Sequence, residues 1–314
     1  DNKKGKDSIR FTTYFYPRAK AHLNVLHGVE NTDKLNRETL KTKVVIPPFP
    51  KLSKENDTYL QEAMRYVETH FKSNYGQVEN FNFPIDTETA FRWLTSFITH
   101  RFKHFGTYQD AIVEGESMLY HSGLSSSINI GLIQPDEILE KVQATKSSVG
   151  VNNYEGYIRQ LLWREYQRYC YLFLRDDLQR KNKFNLKVPL SQAWYTGKLG
   201  VHPVDVTIQK AFATGYLHHI ERLMIMGNYM LLNRIKMKDG FAWFMEFAID
   251  SYEWLMYQNV YDMVFFSTGG KTTHKAYISS SAYVLKMSNF EKGDWVDTWN
   301  AKYKKFKQDY FKSG

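Results

Sequence analysis

A single cysteine, Cys170, occurs in 314 residues. It excludes an intramolecular disulfide, a thiolate zinc knuckle and a cysteine-ligated cluster, and it fits a reducing compartment. No apolar run approaches the ~20 residues that span a bilayer. The polar start Asp1-Asn-Lys-Lys-Gly-Lys lacks the apolar core of a signal peptide and an initiator methionine. Missing too are an internal repeat, a low-complexity tract, strand–helix–strand alternation, GxGxxG, GxSxG, a Walker loop and HExxH. These absences exclude a Rossmann dehydrogenase, a P-loop enzyme, a serine hydrolase of the elbow type and a zincin, and they leave no metal constellation among the ten histidines.

What is present is aromatic and basic. Aromatics make up 16% of the chain, with 22 Tyr, 21 Phe and 7 Trp, enough to build a core and leave rings for stacking. Charge sums to 42 − 33 = +9, with a pI of about 9.2, which suits a polyanionic partner such as nucleic acid or simply a basic surface. Residues 1–53 read as an irregular extension or linker, ending at the stop signal Ile46-Pro-Pro-Phe-Pro50, whose aromatic content holds it against the body. Residues 54–314 read as one all-α body. Its helices are a stripe of Leu60, Ala63, Met64, Val67 and Phe71, a start capped by Asp86 or Thr87 that continues from Phe91 to Phe105, a start at Pro135, a long helix over 152–175, and stretches over 205–212, 217–235, 241–257 and 295–311.

The organising stretch is Gly215-Tyr-Leu-His218-His219-Ile-Glu221-Arg222-Leu-Met-Ile-Met-Gly227-Asn228. It reads as the start of an amphipathic helix with His218, Glu221 and Arg222 on one side. Buried histidines tied into local hydrogen bonds and a reactive constellation both fit that stretch alone. His121-Ser122-Gly123-Leu124-Ser125-Ser-Ser-Ile-Asn129 offers hydroxyls and backbone N–H groups that could hold a phosphate, or is a serine-rich turn. Gln160, Trp163, Arg164 and Arg168 suit a planar heterocycle with a phosphate, or an interior helix. Trp194, Tyr195, Trp243, Phe244, Tyr252, Trp254 and Tyr257 read as core or as an electron-hopping chain. Tyr277 and Tyr283, beyond the Gly269-Gly270 turn, could close the mouth of a pocket.

In order and spacing these pieces resemble the helical flavin-binding domain of the photolyase/cryptochrome superfamily, in particular its prokaryotic (6-4) photolyase-like branch. The matching stretches are Tyr108-Gln-Asp110, His121 to Ser125, Gly156-Tyr-Ile-Arg-Gln160-Leu-Leu-Trp-Arg164-Glu-Tyr, Thr196-Gly197, Tyr216 to Met224, Tyr252-Glu-Trp254, Asn259, Gly269-Gly270 and Tyr277 to Ser288. The likeness covers about 20 to 300.

The resemblance implies bound FAD. Ser122, Leu124 and Ser125 hold the diphosphate beside His121 and Arg164; Tyr157, His218, Arg222, Asp250 and Asn259 surround the rest, with Arg222 paired to Asp250. His219 is the implied catalytic proton donor, with Tyr277 and Tyr283 at the lesion. Gln160 and Trp163 contact a dinucleotide flipped out of UV-damaged DNA. Trp243, Tyr252 and Tyr195 carry electrons.

Much of this branch carries four cysteines for a [4Fe–4S] cluster. Here His202-Pro203 and Asn289 to Asp294 stand in those regions, and Trp295, Trp299, Tyr303 and Phe306 are expected to fill the space. The N-terminal α/β antenna domain is expected to be absent. The expectation is thus an intracellular, nucleoid-associated monomeric DNA photolyase without metal or membrane partner. A cryptochrome-type photoreceptor is the alternative and a flavin-free scaffold the third reading.

Overall fold

A computed structural model describes residues 8–40, 45–52 and 57–311. The expected boundary at 53/54 lies outside the described residues. Among the described residues the chain is helical without strands; only two isolated bridges occur, Ile112 with Ser288 and Val188 with Ile235.

The centre is α7, Val151–Arg180 (the helices are numbered in chain order). Its buried residues include Tyr154, Ile158, Leu162, Tyr166, Cys170, Leu174 and Leu178, each four after the last. At 3.6 residues per turn a step of four overshoots by about 40°, so this apolar stripe winds around the helix as it climbs. Successive stretches of α7 therefore face different neighbours, and the helix runs longer at both ends than the expected 152–175.

On one flank, α3 (Thr87–His100) is capped by Asp86, whose carboxylate accepts from Thr89 N at 2.7 Å. The expected continuation to Phe105 breaks at Arg101, and α4 (Phe102–Tyr108) starts anew. The break turns the fully buried Arg101 onto the Phe49 ring at 3.7 Å and to Pro47 O at 2.5 Å, so the Pro-rich stop is clamped to the body. At Gly106 any Cβ would collide with the Asn152 backbone, so glycine lets α4 lie directly on α7. The short α5 (Ser125–Asn129) and α6 (Pro135–Gln143) follow, the latter with a Gln134–Glu137 capping box.

The other flank carries α8 (Ala193–Thr196), α9 (His202–Thr214), a π-helical stretch Glu221–Gly227 leading into α10 (Asn228–Leu232), and α11 (Met237–Phe247). After α11 the expected single helix over 241–257 is interrupted, and α12 (Glu253–Met256) runs into a second π-helical stretch, Tyr257–Val264. The fold closes with α13 (Ser281–Met287) and α14 (Trp295–Tyr310). Trp295, Trp299 and Phe306 are buried and Tyr303 is half-buried, and Trp299 Nε1 donates to Ser279 O at 3.0 Å.

The N-terminal segment is less irregular than its sequence suggests. A π-helical turn, Phe11–Phe15, runs into α1, Tyr16–His22. It docks on α7 through a buried carboxylate: Glu155 accepts from Tyr16 Oη at 2.5 Å, Thr32 Oγ1 at 2.6 Å and Arg159 Nε at 3.1 Å, and Arg159 reaches Asp33 at 3.1 Å. The segment belongs to the core; Phe11, Tyr16, Leu26 and Val29 are buried with the rest. Conversely α2 (Thr58–His70) buries only Leu60 of its expected stripe; Val67 and Phe71 are exposed.

Candidate functional site

Gly215, at φ +65°, ends α9 in the left-handed conformation that glycine adopts without strain. The chain then runs extended through Tyr216, Leu217 and His218, and helix resumes only at His219. The helix expected from Leu217 thus begins two residues late. The delay sends the two imidazoles apart: His218 is fully buried, whereas the His219 side chain is 41% exposed.

His218 stacks on His121, centroids 4.9 Å apart at 16°, and His219 meets His121 edge-on at 5.4 Å. Sequence spacing gave no sign of this trio, whose ring nitrogens lie within 4.8 Å of one another. Parallel stacking keeps the lone pairs of His121 and His218 in separate planes, a poor arrangement for one shared ion. Burial keeps both neutral, lowering His121 to about 3 and His218 well below its ordinary value. His121 spans Met118 O (Nδ1, 2.9 Å) and Gln109 O (Nε2, 3.2 Å). Neither nitrogen of His218 has a hydrogen-bond partner; Nε2 lies 3.5 Å from Glu221 Oε2 without hydrogen-bond geometry. Burial lifts the Glu221 carboxyl to about 7 despite its contact with Lys210.

Beside this pair, Asp250 gathers three distant segments. Its Oδ2 accepts from Ser125 Oγ at 2.7 Å, its Oδ1 from Arg222 at 2.8 Å, and its main-chain oxygen from Asn129 at 2.8 Å. Arg222 also donates to Leu217 O at 2.6 Å, with Tyr216 and Phe247 rings 5.4 and 5.6 Å from its guanidinium. The Arg222–Asp250 pair implied by the resemblance is present, and Ser125 joins it. Leu124 and Tyr157 are buried, and burial pushes the Tyr157 phenol up to about 12. Arg164 lies over Trp254 at 4.5 Å, and Asn259 accepts from Gln167 at 2.8 Å.

These residues also meet a physical requirement for a flavin dinucleotide. Ser126 Oγ, Ser127 Oγ, Asn129 Oδ1, Arg164 Nε and both His218 nitrogens are buried polar atoms without a protein partner among the described residues. Orphaned groups of this kind are costly unless something polar meets them. Hydroxyls and a guanidinium suit a diphosphate; an imidazole and a charged pair suit a polar heterocycle. The donor set fits the group.

His219 Nε2 faces Asp110 Oδ1 at 3.3 Å. Burial raises the Tyr277 and Tyr283 phenols above their ordinary range, and the charge of Asp110 adds to both while Arg37 opposes. Of the three residues assigned to catalysis, His219 is the one in contact with Asp110, whose motif the sequence flagged without giving it a role. Arg37 and Asp33, from the N-terminal segment, were not foreseen. Trp163 has one face covered: Phe11 stacks on it at 3.9 Å and 13°. Gln160, three residues before it on α7, is half-buried.

Of the three residues expected to carry electrons, two are linked through one ring. Trp243 and Tyr195 both touch the Phe212 ring, at 5.9 and 6.0 Å, and Trp243 meets Phe247 at 4.7 Å. Tyr252 is exposed, and no ring contact joins it to Trp243 among the described residues.

Comparison with known proteins agrees with this architecture. A family model described as deoxyribodipyrimidine photo-lyase-related protein matches residues 5–83. A (6-4) photolyase of Agrobacterium fabrum is 33% identical over 287 residues, 88% of this chain and 56% of that protein. The crystal structure of a bacterial class III photolyase from Agrobacterium tumefaciens superposes with a TM-score of 0.55 at 20% identity, covering 68% of this chain and 44% of the other. A Synechocystis sp. PCC6803 cryptochrome gives 0.51 at 19%, over 73% and 45%. The fold is that of the helical domain in these proteins. The chain belongs to the photolyase/cryptochrome superfamily and spans about half the length of the relatives it matches. No helix among the described residues is long and apolar enough to cross a membrane.

Proposed function

We propose that this chain is the flavin-binding, catalytic part of a light-driven DNA repair lyase acting on a pyrimidine (6-4) photoproduct. The observation that carries the reading is the Asp250 node, which ties Arg222, Ser125 and Asn129 together beside a buried imidazole with no partner. A bound reduced FAD would supply light-driven one-electron chemistry at the lesion.

This chain's residues do the rest. Ser122, Leu124 and Ser125 seat the diphosphate with Arg164. The Arg222–Asp250 pair and the unpartnered His218 imidazole would hold the flavin ring. His219 holds the proton for the lesion; Asp110 accepts its Nε2–H, which leaves Nδ1 for proton transfer. Tyr277 and Tyr283, kept protonated by burial, donate to the lesion. The formal charge of +9 favours duplex binding, and a damaged, poorly stacked step costs little to extrude.

A photoreceptor without repair draws support from one observation, the Phe11 ring lying on Trp163, where a flipped base would stack. Repair of a (6-4) duplex by the reduced protein under blue light, wild type beside His219→Ala, separates the two, with a cyclobutane-dimer duplex as the second substrate. Absence of repair by the wild type ends the lyase reading. An absorbance spectrum of the purified protein tests the flavin itself.

A further inference from the structure

We propose that Lys210 and Glu221 form an internal proton supply to His218: a proton enters at Lys210, is held on the Glu221 carboxyl and is handed to the imidazole at Nε2. As a source of protons for a flavin beside His218 the path rests on the reading above; as a path it stands on its own residues.

Glu221 is a buried carboxylate that the fold leaves short of donors. Two others buried as deeply are saturated. Asp262 accepts from the main-chain N–H and the hydroxyl of both Thr268 and Thr272. Glu155 takes Tyr16, Thr32 and Arg159. In Glu221, Oε1 meets the Lys210 ammonium, but Oε2 has only the His218 main-chain N–H, at a long 3.4 Å. His218 Nε2 stands 3.5 Å from that same oxygen. Oε2 is thus bare enough to carry a proton, and the atom beside it is a ring nitrogen with nothing bonded to it. Burial favours the neutral carboxyl and brings it to about 7, where it both gives and takes a proton readily.

Lys210 links the pair to the outside. Its side chain, on α9, is 8% exposed, and its ammonium also donates to the main-chain oxygen of the exposed Glu116 at 2.9 Å. The other titratable groups around His218 and Glu221 are Arg222, His121 and His219. Arg222 is held by Asp250 and keeps its protons. His121 is tied to a carbonyl at each nitrogen, and His219 is turned to Asp110. Glu221 is the group placed to give His218 a proton.

Neutral His218 carries one ring proton. As Nδ1 releases it to a basic group in the cavity, Nε2 takes one from the Glu221 carboxyl. Glu221, now a carboxylate, takes a proton from the Lys210 ammonium, and the Lys210 amine takes one from water. The sum is one proton moved from solvent to the cavity, and the imidazole never carries a charge, which its burial opposes. When the acceptor returns its proton to Nδ1, the same steps run in reverse, so the ring need not flip. The 3.5 Å gap closes by a small ring rotation; hydrogen bonds of this kind are often long until the ligand is in place.

The test needs no flavin. In the full chain with histidine rings labelled with ¹⁵N, saturation transfer from water reads how fast the His218 ring proton exchanges, its signal identified by its loss in His218→Gln. Glu221→Gln keeps the shape of the side chain and removes the acid. Lys210→Arg keeps the buried cation but does not release a proton. Both should slow the exchange by roughly a hundredfold, the lower end of what a positioned acid or base contributes. Loosened packing would speed exchange, so slowing is a signature that a merely structural role does not produce. Glu221→Asp, which restores the carboxyl on a shorter arm, should recover part of the rate. An exchange rate unchanged in Glu221→Gln, or lowered there but unchanged in Lys210→Arg, overturns the proposal. Either failure leaves the flavin reading untouched, and a protein purified without flavin leaves the path standing.

Discussion

Acid should destabilise this protein through its stacked histidines, and the size of the effect follows from one of them. His121 is neutral in the fold down to about pH 3. In the unfolded chain it takes up a proton near pH 6.5. Folding therefore releases a proton between those values, and stability present above pH 6.5 is lost as pH falls toward 3. A displacement of ~3.5 pH units at ~1.4 kcal/mol each is about 5 kcal/mol. That is a large part of the roughly 5–15 kcal/mol that holds a domain together.

His218 adds to the loss in the same direction. Glu221, raised to about 7, opposes it, because the folded state gains a proton there as pH falls from about 7 to its ordinary value. The clean measurement is a difference. Replacing His121 with Phe keeps a ring against His218 and Phe105 but removes the titration. Urea unfolding of both proteins at pH 7, 6, 5 and 4 should give curves that converge on acidification, by ~1.4 kcal/mol per pH unit below the histidine's ordinary value. The variant starts lower at pH 7, having left a backbone carbonyl unpaired at a cost of about 1–3 kcal/mol. Parallel curves would refute the claim that His121 is held neutral by burial.

Asp250→Asn should cost about 3 kcal/mol by leaving Arg222 without its partner, and should lower the flavin content of the purified protein; an unchanged flavin-to-protein absorbance ratio counts against the Asp250 node as cofactor-binding. Asp110→Asn should weaken repair while leaving flavin content intact, because it alters only the partner of His219; a matched loss of both would assign Asp110 to the fold instead. Phe11→Ala should cost about 3 kcal/mol as a buried ring is removed and should change the Trp163 contribution to fluorescence, read as the difference from a Trp163→Phe background. Tyr16→Phe should cost about 1–3 kcal/mol, since Glu155 loses one of its donors, with urea midpoints as the measure.

Local rules made much of the fold legible. The Asp86 cap and the helix start at Pro135 act within a turn or two, and both appear where the residues called for them. What failed was the choice between continuing a helix and breaking it. Arg101 breaks α3 because distant Phe49 and Pro47 receive its guanidinium, and Gly215 delays the next helix until His219. The Arg222–Asp250 pair came from the resemblance, not from spacing. Asp110 sits in a turn without periodicity, and Phe11 meets Trp163 across a separation that pattern rules do not span. The linkage through Phe212 likewise depends on rings from three helices, which explains why Tyr252 was grouped with rings it does not touch.

The winding stripe of α7 also bears on how the chain reaches its fold as it is made. Residues ahead of position 151 emerge from the ribosome before the helix they pack against exists. Until α7 has cleared the exit tunnel, Phe11, Phe97 and Phe102, all buried in the finished molecule, lack the Trp163, Tyr166 and Tyr157 rings that they pack against. The nascent segment ahead of α7 therefore exposes apolar rings until one long helix is complete.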